Sequence, residues 1–179
     1  MKGIVFNLLE EAVSIDFGEA TWDRLLDDAG LDGAYTSLGS YDDAEVVRLV
    51  GVASTALQIA PQDVLRWFGR RAMPLLYQRY PSFFASHTST RSFLLTLNSL
   101  IHPEVRKLYP GATPPVFDFD TSNGETLVIG YSSARRLCAL AEGFMNGAAE
   151  HYREPMQISH PECMHDGAGK CVFHVSFKP

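Results

Sequence analysis

A chain of 179 residues, 46% of them hydrophobic, is long enough to bury one full core and cramped for two independent domains. Its formal charge of −6 is unevenly spread, since residues 1–45 hold eleven acids against two bases and 46–179 hold ten against thirteen. That distribution lacks the basic face a nucleic acid would need, and no apolar run reaches the ~18 residues of a membrane span.

Glu10 and Glu11 interrupt the amino-terminal apolar run where an export signal would carry small residues, so a cytoplasmic protein is expected. Three cysteines in such a chain read as free thiols or metal ligands rather than a disulfide framework.

In chain order, Ile4, Val5, Leu8, Leu9, Ala12 and Val13 recur at helical spacing. A second helix is predicted with Thr21 as N-cap and Gly30 as stop. Asp42 with Glu45 three residues on resembles a capping box before Val46, Leu49, Val50 and Leu57. Pro61 suits the first turn of a further helix, which Pro74 is expected to kink or end. Phe93, Leu94, Leu97, Leu100, Ile101 and Leu108 mark one helix over 90–109, closed by Pro110 and Gly111, with His102 inside it and Pro103 promising a kink.

Beyond residue 115 the period changes. VFDFD, then Ser122-Asn123-Gly124, then ETLVIGY predict a hairpin whose Asn-Gly pair supplies the positive φ angles of a tight turn. A helix over about 133–151 follows, and MQIS and CVFHVSF read as two more strands. The last alternates Cys171, Phe173, Val175 and Phe177 with Val172, His174 and Ser176, as a half-buried strand does. A helical front half followed by strand-strand-helix-strand-strand predicts an α+β fold with an antiparallel sheet.

Three features carry chemistry. Tyr131, Ser133 and Arg135 stand at alternate positions and converge in extended chain, offering a guanidinium and two hydroxyls to a carboxylate or phosphate. His102 lies on an apolar helix, where a buried histidine bonded to a backbone carbonyl is the ordinary outcome. Pro114-Pro115 follows in an ATPP turn.

Taken together, and in this order and separation, the helix histidine, the ATPP turn and the Tyr-x-Ser-x-Arg triplet resemble the haem-nitric oxide/oxygen-binding (H-NOX) domains. These are the bacterial relatives of the haem domain of soluble guanylate cyclase, and the resemblance runs from MKGIVFNLLE to the final strand. It implies a helical distal lobe over about 1–62, a proximal α+β lobe over 63–179 with a four-stranded sheet, and haem b held between them without covalent attachment.

The resemblance further implies that His102 is the proximal iron ligand, that Tyr131, Ser133 and Arg135 bind the propionates, and that Pro115 distorts the macrocycle. Val5, Leu9, Pro74, Leu140 and Phe144 fall at the positions that line the distal side. None of the five donates a hydrogen bond, and Leu140 stands where oxygen-binding members carry a tyrosine. NO and CO are therefore the expected ligands, with little stable O2 binding. NO would weaken the bond to His102, and the resulting shift would pass to a partner, in this family a histidine kinase or a cyclic-di-GMP enzyme.

A second constellation stands in SHPECMHDGAGKC. His160, Cys163 and Cys171, with Cys138 further upstream, have the composition of a Cys3His zinc site, and a subset of bacterial H-NOX domains resembles this pattern. His165 and His174 are rival ligands, three ordinary thiols are the plain reading, and thiol oxidation with loss of Zn2+ is a secondary sensing route.

His87 reads as a surface or cap residue, Trp22 and Trp67 as packing, and Glu142 and Glu150 as solvent-facing. No acid, base and nucleophile are grouped, so catalysis has little to rest on. The competing reading is a haem-free, zinc-stabilised adaptor or small-ligand module in which the triplet grips an acidic ligand. A weaker one is a haem or redox carrier.

Overall fold

The structure, a computed structural model, describes residues 1–177. Helix α1 (Gly3–Phe17) buries Phe6, Leu8, Leu9, Ala12 and Val13, the stripe its sequence predicts. Helix α2 (Glu19–Ala29) starts directly after Gly18, whose φ of +88° turns the chain sharply. Thr21 is therefore not the cap; it lies inside the first turn and its hydroxyl donates back to the Phe17 carbonyl at 2.8 Å. Gly30 ends the helix in the left-handed region, as predicted.

Helix α3 (Asp43–Leu57) is capped by Asp42, whose carboxylate accepts from the Ala44 N–H at 2.9 Å. The other arm of the capping box does not form, because Glu45 accepts the Tyr35 hydroxyl at 2.8 Å instead. Helix α4 (Pro61–Arg79) opens on Pro61 and continues through Pro74, which was expected to kink or end it. Pro74 is exposed while Ala72, Met73 and Leu75 beside it are buried. Burial of those three, at ~1.5–3 kcal/mol for each large apolar side chain, offsets the ~3 kcal/mol that an internal proline costs.

The single helix predicted over 90–109 is broken into pieces. After the short helices α5 (Ser82–Ala85) and α6 (Thr90–Leu94) comes a π-turn, Leu97–Ile101, and then α7 (His102–Leu108). The His102 N–H reaches back five residues to the Leu97 carbonyl. Pro103, in the first turn of α7, has no N–H to give, so the wide turn falls where the α ladder would already be incomplete.

The sheet comprises β1 (Val116–Asp120), β2 (Thr126–Ser132), β3 (Met156–Glu162) and β4 (Cys171–Phe177), antiparallel in the order β1-β2-β4-β3. In β4 the predicted alternation holds: Cys171, Phe173 and Val175 are fully buried and His174 is exposed. The β1–β2 connection is not the tight turn its Asn-Gly pair suggests, for neither Asn123 nor Gly124 has positive φ. Side chains shape a longer loop instead, with Asp120 accepting from the Ser122 N–H and Asn123 from the Glu125 N–H. Helix α8 (Cys138–Tyr152) starts later than predicted, after a turn that puts Arg136 at φ +50°.

Two hydrophobic clusters result. One gathers Phe6, Leu49, Phe68 and their neighbours among α1–α4, the other Ile129, Phe173, Val175 and Met145 between the sheet, α6 and α8. Helices α4 and α8 contribute to both, and they meet backbone to backbone. A Cβ on Gly143 would lie 2.2 Å from the Arg66 carbonyl oxygen, and one on Gly69 2.4 Å from that of Leu140. Gly143→Ala should therefore cost about 2–3 kcal/mol in urea unfolding; a loss below about 0.5 kcal/mol would show that the crossing yields easily. No described helix is long and apolar enough to cross a membrane.

Candidate functional site

Between the two clusters lies a cavity of about 320 Å³, walled by α1, α4, α6, the π-turn, α7, β1 and α8. His102, Pro115, Tyr131, Ser133, Arg135, Val5, Leu140 and Phe144 all line it. Leu9 and Pro74 do not. Leu9, one step round α1 from Leu8, packs into the amino-terminal cluster, and Pro74 faces solvent; Leu8 and Met73 take those walls.

His102 is the polar group set deepest in this apolar wall. Its Nδ1 is buried without a hydrogen-bond partner, and the ring lies 5.8 Å from that of Phe117. Burial lowers the imidazole pKa to about 4, the Arg106 charge adds to this, and the Pro115 backbone opposes only part of it. At neutral pH the ring is uncharged and free to donate a lone pair, the form that ligates metals.

Strand alternation brings the triplet together only in part. Tyr131 is in β2, which ends at Ser132; Ser133 and Arg135 sit in the following turn, where the Ser133 Oγ accepts from the Arg135 N–H at 3.2 Å. The Arg135 guanidinium donates from Nε to Asp43 at 2.9 Å and from Nη1 to the Thr113 carbonyl at 2.8 Å, leaving three of its five N–H donors for a ligand. Asp43 was not foreseen as its partner, since 92 residues separate them. Burial raises the Tyr131 pKa, so its hydroxyl stays a neutral donor. Also unforeseen is a hydroxyl pair at the cavity wall, Tyr80 with Tyr109.

The cysteines form a separate centre. Cys138 at the start of α8, His160 in β3, Cys163 after it and Cys171 in β4 place one ligand atom each within 4.8 Å of the others. The Cys163 sulfur lies 3.8 Å from that of Cys138 and 3.9 Å from that of Cys171. A tetrahedral ion with Zn–S bonds of ~2.3 Å sets its sulfurs ~3.8 Å apart, so the spacing fits. The His160 Nε2 is buried without a partner. Burial, then the neighbouring thiols, pushes Cys138 up to about 12, so the cluster is neutral until a cation draws off protons.

The rival ligands go elsewhere: His165 Nε2 pairs with the Arg136 carbonyl at 2.8 Å, and His174 is exposed on the outer face of the sheet. His87 contacts Thr96 and the Phe93 ring, and Trp22 is buried. Glu142 is not solvent-facing; it accepts from Arg66 Nε at 2.9 Å, its side chain 17% exposed, whereas Glu150 is half exposed beside Arg70.

An α+β domain that encloses an apolar cavity, with one neutral imidazole on its wall and a cation with hydroxyls at its rim, belongs to the class that buries a flat, anionic-edged ligand. The family model for haem-NO-binding domains matches residues 2–160, and the chain belongs to that family, H-NOX. An H-NOX protein from S. oneidensis in the Fe(II)NO ligation state is 34% identical over 100% of both chains, with a TM-score of 0.94. One from K. algicida, Fe(II) unliganded, is 27% identical over 100% of this chain and 97% of its own, with a TM-score of 0.89. The IWP-051-bound Fe(II)CO form from Shewanella woodyi is 32% identical over 100% and 95%, with a TM-score of 0.84.

Proposed function

We propose that this chain is a haem-based nitric oxide sensor with no catalysis of its own. The observation that carries the reading is the His102 imidazole, neutral and unpartnered at Nδ1, on the wall of a cavity whose rim holds Tyr131, Ser133 and Arg135. These residues fit haem b: the imidazole to the iron, the guanidinium and hydroxyls to the two propionates, and Pro115 against the ring. Haem bound there supplies an open coordination position for a diatomic gas and an iron–imidazole bond that NO weakens.

The chain's own part is selection and transmission. Val5, Leu140 and Phe144, with Leu8, Phe68 and Met73, offer the gas no side-chain donor. Oxygen needs such a donor for the charge it gains on binding; NO and CO do not. The NO and CO states of the S. oneidensis relative support the same preference. His102 opens α7 and Arg135 bonds Asp43 at the start of α3, so a change at the cavity reaches both clusters. The receiver is a histidine kinase or a cyclic-di-GMP enzyme. Cys138, His160, Cys163 and Cys171 hold Zn2+, whose loss on thiol oxidation is a second input.

Absorption spectra of the reduced protein test this. A Soret band that moves with NO and CO and is unchanged by brief exposure to air is expected. A stable oxygen complex would overturn the selectivity, and a colourless protein supplied with haem would overturn the reading.

A further inference from the structure

The π-turn is fastened to the sheet by Asn98, a side chain with no role so far. β1 is an edge strand, and an edge leaves alternate backbone groups without ladder partners. The Asn98 carboxamide takes both groups of Phe117: Oδ1 accepts its N–H at 3.2 Å, and Nδ2 donates to its carbonyl. One side chain thus extends the sheet by one residue.

Asn98 lies in the π-turn four residues before His102, whose N–H is bonded to the Leu97 carbonyl. On the strand side, the Phe117 ring faces the imidazole at 5.8 Å, and Pro115, two residues earlier, lines the same wall. The two backbone segments that present His102 and Pro115 to the cavity are therefore tied directly to each other.

From this geometry we infer that Asn98 is a positioning residue for His102, holding the imidazole at a fixed height against the Pro115–Phe117 wall. The inference rests on the reading of His102 as the iron ligand. A tethered imidazole cannot follow a metal drawn toward the opposite face, so the tether favours breakage of their bond. Freed of it, the helix moves with the metal and the bond survives. Asn98 is exposed, so replacing it removes two hydrogen bonds without emptying a core position.

The test uses the haem-loaded chain with Asn98→Leu and Asn98→Asp, and two readouts. Amide exchange at Phe117, followed by NMR in the CO form, should quicken about tenfold in Asn98→Leu and less in Asn98→Asp, which keeps an acceptor for the N–H. Under saturating NO, the fraction of protein with imidazole still coordinated, read from the Soret band and resonance Raman, should rise at least about twofold in both. Unchanged exchange in the variants overturns the tether. Faster exchange with an unchanged nitrosyl spectrum overturns the positioning role. Should the leucine variant fail to fold by circular dichroism, the aspartate variant decides by the same readouts. Wild-type protein that takes up no haem overturns the iron reading, and this inference with it.

Discussion

Replacing His102 with glycine is expected to weaken haem retention by more than about 100-fold, the upper end of what losing merely an outer partner costs a metal site. Free imidazole, small enough for the space left, should restore the pigment. The size of the effect follows from the walls: Val5, Leu8, Phe68, Met73, Leu140 and Phe144 offer no side-chain lone pair comparable to an imidazole's. A variant spectrum identical to wild type without added imidazole would show that the iron is held elsewhere.

The same substitution has a pH signature before haem is added. His102 titrates near pH 4 when folded, against about 6.5 in an unfolded chain. Between those values the unfolded state binds more protons, so stability rises with pH across the window and is lost as pH falls from 6.5 toward 4. The span is about 3 kcal/mol. Urea unfolding at pH 4.5 and 7 should show that difference in wild-type apoprotein and a much smaller one in His102→Gly; equal slopes would mean the imidazole is not buried.

Cys163→Ser should lower zinc from about one equivalent per chain to less than about a tenth, and lower the melting temperature by about 10 °C. The connection between β3 and β4 explains why. Its short turn, Met164–Asp166, buries no residue, and its ties elsewhere are few: the Met164 N–H to the Cys171 sulfur and His165 to the Arg136 carbonyl. An ion shared by Cys138, His160, Cys163 and Cys171 would join α8, β3 and β4 where apolar packing is thin. Unchanged metal content, with the serine variant folded, would show that the four side chains meet without holding one.

The sequence is legible where one local pattern determines an outcome. The α1 stripe, the Asp42 cap and the β4 alternation needed only neighbouring residues, and the Cys3His grouping needed only an unusual composition. Where a residue's fate depends on a distant partner, local reading fails. Pro74 stays in its helix because burial on either side outweighs its cost; Glu142 turns inward because Arg66 meets it; Glu45 leaves its cap for Tyr35. The Asn-Gly pair lost its tight turn to the side-chain bonds of Asp120 and Asn123. For the site, the triplet pointed to the right wall, but nothing near Arg135 in the chain announces Asp43. Leu9 was misplaced because adjacent helical residues diverge by about 100°, so Leu8 rather than Leu9 faces the cavity.

The Leu97–Ile101 segment sets a matter of phase. Because its bonds span five residues, it carries one more residue than an α-helical path between the same points. Deleting any single position there would restore ordinary winding and swing whatever follows through about 100°. The imidazole would then look away from the cavity with every lining side chain still present. Relatives that bear an insertion or deletion in this short stretch should therefore have lost their pigment, however well the remainder aligns.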